Sequence, residues 1–322
     1  MSQHPPILAI AGFAALLPLA ATAQQGDWQT PRTPWGDPDL QGIYTNKDEN
    51  GTPMERPAEF AGRSLTEFGP DEMAALRTAR QAAAQALAGR IGGSADEDTG
   101  AGPPHWYEHL DAMNAQPWFV FEPADGQIPP LTDEGRRRLE AERAALAKRD
   151  APDSYTDMSL YDRCISRGIP GSMMPAIYGN AYDITQAPGY VVIRYEMIHE
   201  ARVIPLGARP LLPDTFGFYM GEARGRFEGD TLVVETTNFR DGAAYRGASS
   251  GLKLTERFTP IDADTLQWEA RFEDSATWEG PWTFRMPLKR DAESVVFEYA
   301  CHEGNRGLEN ILRAARAAEQ SD

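Results

Sequence analysis

Residues 265–288 read TLQWEARFEDSATWEGPWTFRMPL, and their spacing decides the fold. Leu266, Trp268, Ala270 and Phe272 alternate with polar neighbours, and so do Trp282, Phe284, Met286 and Leu288. A period of two puts one set of side chains on one face, the pattern of a half-buried strand. Working outward, residues 190–199 (YVVIRYEMIH), 202–206 (RVIPL) and 252–258 (LKLTERF) repeat the signal. Phe227-Glu228-Gly229-Asp230-Thr231 reads as a hairpin turn into Leu232–Thr237, and Asp262-Ala263-Asp264 as a second turn. Val295, Phe297, Tyr299 and Cys301 predict a last strand. No helix separates these strands, which argues against a parallel α/β sheet. The expected fold is α+β: a calycin- or lipocalin-like antiparallel β-barrel or curved sheet with a helical and extended N-terminal part.

Helices flank this body. Pro70 suits a first helical position, and DEMAALRTARQAAAQALAGR follows until Gly92-Gly93. Thr132 predicts the cap of a second helix ending before Pro152. Residues 157–166 suggest a short third helix, and 306–319 a terminal one. Residues 24–65, rich in Pro and Gly, read as an extended strap packed by Trp28, Trp35, Ile43, Tyr44 and Phe60. Residues 118–121 (WFVF) form a short apolar strand.

Residues 7–21 (ILAIAGFAALLPLAA) are too short an apolar run to span a bilayer, and Ala21-Thr22-Ala23 is a signal-peptidase pattern. The expected division is a signal peptide over 1–23, the strap and helical part over 24–150, and the barrel with its terminal helix over 151–322, the last two forming one folded unit. The expected location is periplasmic or secreted. In such a compartment Cys164 and Cys301, the only cysteines, pair most simply as one disulfide. Two free thiols, a metal site and a catalytic cysteine are the competing readings.

The chain has 322 residues and a net charge of −17, from 48 acidic against 31 basic side chains. That field disfavours nucleic acid and anionic membrane as partners. Gly221–Gly225 lacks the spacing of a nucleotide-binding loop, and no cofactor is expected. The expected partner is a small-molecule ligand; the oligomeric state is left open.

After export four histidines remain: His105, His109, His199 and His302. His105–His109 matches H-x-x-E-H, the inverted zincin pattern, but follows Gly102-Pro103-Pro104 with little helical periodicity. Polar loop residues near a pocket mouth are the plainer reading. His199 closes a strand whose face carries Val191, Ile193, Tyr195 and Met197, so an inward imidazole is expected. His302, Glu303 and Asn305 stand together where the mouth of a barrel would lie. Both histidines also read as satisfied core residues. Arg194, Glu196, Arg202, Arg226, Glu235, Glu269, Arg271, Arg285 and Glu298 lie on or beside strands. They are either a solvated outer face of cross-strand ion pairs or, in part, a ligand-binding lattice inside the barrel.

Several stretches resemble a large, mostly uncharacterised family of exported proteins from Gram-negative bacteria: WGDPDLQG (35–42), PADGQIPPL (123–131), YEMIHEARVIPL (195–206), GRFEGDTLVVETTNF (225–239), ERF (256–258) and YACHEGN (299–305). The resemblance spans nearly the whole mature chain and implies no reaction. It implies that Glu196, His199, Arg202, Asn238, Arg246, His302, Glu303 and Asn305 belong to the family pattern. Relatives usually show Gly-Asp-Ser-Arg-Gly where this chain has Gly221-Glu222-Ala223-Arg224-Gly225.

Three function classes follow. The first is a cofactor-independent lyase-, hydratase- or isomerase-type enzyme acting on a small cyclic or aromatic molecule. His199 and His302 would be base and acid, tuned by Glu196 and Glu303. Arg202, Asn305, Asn238, Arg246 and Tyr195 would hold the substrate. The second is a ligand-binding barrel without catalysis. The third is an envelope interaction module docking through the strap.

Overall fold

The computed structural model describes residues 28–91, 108, 116–147, 152–303 and 305–320. The segment 1–23 expected to be a signal peptide and the His105 and His109 pair lie outside the described residues. Ten strands and three helices are β1 Gly42–Thr45, α1 Pro70–Ile91, β2 Val120–Glu122, α2 Asp133–Ala147, β3 Ala181–Ala187, β4 Tyr190–Tyr195, β5 Ala201–Pro205, β6 Glu222–Glu228, β7 Thr231–Thr237, β8 Lys253–Pro260, β9 Thr265–Glu273, β10 Trp282–Arg290 and α3 Arg306–Glu319. No helix among the described residues is long and apolar enough to cross a membrane.

All strands join one sheet in the order β5-β4-β3-β1-β10-β9-β8-β7-β6, with β2 beside β10. Every named pairing is antiparallel. Nine strands lie on that path, an odd number, so the two end strands run the same way when the sheet curls round. They meet as that parity requires: Leu206 and Gly225 form a parallel bridge, and the Gly207 N–H donates to the Gly225 carbonyl at 3.1 Å. The result is a nearly closed antiparallel barrel in an α+β chain.

The alternation read from 265–288 sets the interior. Leu266, Trp268, Ala270, Phe272, Trp282, Phe284, Met286 and Leu288 are all buried. Phe272 stacks on Trp282 with ring centroids 4.0 Å apart, and Trp268 meets Phe284 edge-on at 5.1 Å. Phe258, Tyr182 and Tyr195 fill the remaining space. Aromatic side chains carry large buried areas, and here they pack the barrel as a core. Most of the strand charges face outward, as in Arg226 with Glu228 and Glu235, Arg257 with Glu228, and Arg271 with Glu122. Arg202 and Glu256 depart from this pattern and turn inward as a pair.

The strap contributes more than packing. Its β1 lies between β3 and β10, so it joins the two halves of the sheet. β2 occupies the rest of the same β10 edge, opposite Thr283 and Phe284. α2 docks on the β9–β10 connection. The Thr132 hydroxyl accepts from the Gly135 N–H at the helix start and donates to the Ala276 carbonyl, and Arg138 reaches the same carbonyl at 3.0 Å.

Three expectations are corrected. Residues 295–301 form no strand: Val295 and Phe297 are 59 % and 66 % exposed. Both edges of β10 are already taken, so this segment finds no ladder and crosses the outside of the barrel, where Arg194 donates to the Val296 carbonyl at 3.2 Å. Residues 157–166 form no helix. The Ser159 hydroxyl binds the Asp162 carboxylate, and Cys164 takes a left-handed backbone (φ 56°), which stops helical propagation. The strand from Tyr190 ends at Tyr195 because Ile198 and His199 have φ of 59° and 45°.

Candidate functional site

The two cysteines form a disulfide, with Cα atoms 5.6 Å apart. It ties the 152–180 segment, which has no long element of its own, to the C-terminal segment before α3. Asn305 reinforces the junction. Its Oδ1 caps α3 by accepting from the Leu308 N–H at 3.3 Å, and its Nδ2 donates to the Asp162 carbonyl at 3.1 Å.

Next to this junction lies a cleft of about 950 Å³. One wall of α2 lines it through Glu142 and Ala145, the 156–178 segment through Met158, Tyr161, Arg163, Arg167, Met174 and Tyr178, and the 242–246 turn through Tyr245 and Arg246. Met197 supplies the part nearest β4. The volume is within the range of ordinary small-molecule sites.

Its electrostatics are set by half-buried tyrosines and nearby arginines. Burial pushes the Tyr161 hydroxyl well above the usual phenol range, and its neighbours Tyr178 and Tyr299 push it further. Burial also raises Tyr299 and Tyr245; at Tyr245 the charge and hydrogen bond of Arg246, and the charge of Arg167, act in the opposite direction. These hydroxyls therefore remain protonated at neutral pH and can donate. The Arg167 guanidinium lies 5.5 Å over the Tyr161 ring, and that of Arg163 5.2 Å over Tyr155. Behind the cleft, burial raises the Glu200 carboxyl, opposed by donors from Ser166, the Arg167 N–H and Ser172. Burial likewise raises Glu196, with the Glu108 charge adding to it.

The residues expected from sequence scatter. Arg246 lines the cleft. His199 does not: it is exposed, and its Nδ1 lies 2.7 Å from the Tyr299 carbonyl oxygen. The expected inward imidazole is corrected, because the left-handed turn at Ile198 and His199 swings the ring off the buried face. His302 and Glu303 are exposed on the turn after Cys301 and also lie outside the cleft lining. His199 thus contacts the backbone three residues before His302. Arg202 is only 4 % exposed and sits inside the barrel. Its Nη1 is 2.6 Å from Glu256 Oε2, its Nη2 donates to the Thr236 hydroxyl, and Tyr195 packs beside it. Asn238 donates to the Leu212 carbonyl at 3.1 Å and to Glu222 at 2.9 Å, anchoring the 207–219 loop. Among the described residues no group of three or more His, Cys, Asp or Glu could hold a metal ion.

Tyr161, Arg163, Arg167 and Tyr178 were missed by sequence reasoning. For Tyr161, Arg163 and Arg167 the available signal was their crowding around one disulfide cysteine, in YDRCISR over 161–167; Tyr178 carried none. No protein-family model, curated protein or solved structure matches the chain.

Proposed function

We propose that the protein is an exported binder of a small organic molecule, which it holds in the cleft between α2 and the 156–178 segment rather than inside the barrel. One contrast carries this reading. The barrel axis is filled by Trp268, Trp282, Phe272 and Phe284, whereas the cleft offers about 950 Å³ lined by aromatic, thioether and guanidinium groups. Export is supported by the disulfide, which persists in oxidising compartments, and by the apolar run ahead of Ala21-Thr22-Ala23. The resemblance to exported Gram-negative proteins points the same way.

The test is a thermal-shift screen of small organic compounds on the wild type and on Ala145→Trp. Ala145 is an exposed position on α2 that lines the cleft, so an indole there fills space without touching the core. A ligand at about 100 times its Kd stabilises by roughly 2.7 kcal/mol. Compounds that raise the wild-type midpoint should leave Ala145→Trp unmoved; equal shifts in both would contradict the proposal.

A second reading is acid–base turnover of the bound molecule without a cofactor, by elimination, hydration or isomerisation. The Tyr299 carbonyl favours it: by accepting from His199 Nδ1 at 2.7 Å it leaves Nε2 as a base. Tyr161, held protonated by burial in the cleft lining, would be the acid, and the substrate would reach from the cleft to His199 on the exposed turn outside it, with His302, Glu303 and Glu196 nearby in the chain. Separate His199→Ala and His302→Ala variants test it. Unchanged turnover of an identified substrate by both would remove the histidines from the chemistry.

A further inference from the structure

The cleft breaks the pattern of the rest of the chain. The protein carries a net charge of −17, yet Arg163, Arg167 and Arg246 converge on one cavity. Among the described residues, no ion pair to a carboxylate engages any of these three guanidinium groups, in contrast to the paired arginines on the barrel's outer face. Arg246 and Arg167 line the cleft together with Tyr245: Arg246 hydrogen-bonds the Tyr245 hydroxyl, and the charge of Arg167 also acts on it. The opposing acids are few and engaged. Asp157 accepts from the Asp153 and Ser154 N–H groups at 3.0 Å each, and Glu200 accepts from Ser172 at 3.2 Å. Glu142 stands on the α2 wall. The charge of Arg167 also acts on Glu200 behind the cleft, but guanidinium groups with no direct ion pair to a carboxylate can present a planar fork of donors to an anion from outside.

The rest of the lining limits the shape of that anion. Tyr161, Tyr178 and Tyr245 give ring faces and edges, and Met158, Met174 and Met197 give polarisable thioethers that pack well on aromatic rings. A sugar phosphate would leave this apolar surface unused, and a purely aliphatic ligand would give the rings and thioethers no π-face to pack on.

We propose that the ligand is a planar aromatic carboxylic acid, its carboxylate held by Arg167 and Arg246 beside Tyr245 and its ring packed between the tyrosines and methionines. This rests on the cleft being the ligand site.

The experiment is isothermal titration of the full-length mature protein with 4-hydroxycinnamate, its methyl ester and cyclohexanepropionate, at low and high salt. Wild type, Arg167→Gln, Arg246→Gln and Ala145→Trp are compared, each checked for folding by its thermal midpoint. The acid should bind more tightly than the ester and than the saturated acid, each by about tenfold or more, and more weakly as salt rises. Arg167→Gln and Arg246→Gln should each weaken the acid by about tenfold while leaving the ester nearly unchanged. Equal affinity for acid and ester, indifference to both arginines, or no binding by any member of the series would overturn the assignment. Ala145→Trp separates the two levels. If it abolishes binding while acid and ester bind the wild type equally, the cleft stands and the anion assignment falls. If it binds the acid as well as the wild type does, the cleft itself is wrong.

Discussion

Arg202 and Glu256 form an ion pair almost wholly removed from water, with side chains 3 % and 0 % exposed. Desolvating two charges is costly, and the pair persists only with further hydrogen bonds. The Thr236 hydroxyl accepts from Arg202, and the Trp268 indole donates to Glu256 at 3.2 Å. Glu256→Gln leaves a guanidinium buried without its counter-charge, and should cost about 3–5 kcal/mol in urea unfolding. The double change Arg202→Met with Glu256→Leu should cost clearly less than Glu256→Gln alone; an equal or larger loss would show that the pair stabilises in itself. Glu200 gives a pH signature. Its folded-state pKa is raised above the ordinary 4.5 by burial, so the folded protein keeps a proton that the unfolded chain releases. Stability tied to this group is complete below the ordinary value and is lost as pH rises through the raised one. Glu200→Gln keeps acceptor capacity for Ser172 without the charge. Its urea midpoint relative to wild type should therefore improve as pH rises from below 4.5; a gap that does not change with pH would contradict the assignment.

The elements show what sequence can and cannot deliver. The alternation at 265–273 and 282–290 was legible because a buried face imposes a period of two, and α2 was legible from its Thr132 cap, whereas α3 was read as a span without the Asn305 cap that starts it. The segment 295–301 carries the same alternation yet makes no strand, since pairing needs a free edge and β10 has none. The reverse error fell on β1, where four residues in a Pro- and Gly-rich strap give too short a run to show periodicity. α3 depends on one side chain for its start. Asn305→Ala should lower stability by about 1 kcal/mol and weaken the tie to Asp162. Chemical denaturation with far-UV circular dichroism measures it, and no change would remove the cap from the account. Cys164→Ser with Cys301→Ser should cost roughly 2–5 kcal/mol, because the link closes a loop of 137 positions.

At the scale of the molecule, nine strands close through one parallel seam that is packed by side chains more than by ladder bonds. Gly225 makes the seam possible: a Cβ there would lie 2.8 Å from the Ile204 and Leu206 side chains. Gly225→Val should destabilise by about 1–3 kcal/mol through overpacking and raise amide exchange along β5 and β6 first. Uniform exchange would place the weak point elsewhere. The site was less legible than the barrel for a related reason. Scarce histidines draw attention in a sequence, but their direction is fixed by two left-handed residues at 198 and 199 that no periodicity reveals. Tyr161, Arg167 and Arg246 line one cleft only because the fold brings the 156–178 segment against the 242–246 turn, which lie far apart in the chain. On the proposed reading the ligand occupies this cleft and leaves the filled barrel alone. Native mass spectrometry of wild type and Ala145→Trp, each incubated with the compound that most raises the wild-type midpoint, tests it most directly. The account predicts a one-to-one adduct on the wild type that is absent from Ala145→Trp, whereas an adduct of equal occupancy on both proteins would contradict it.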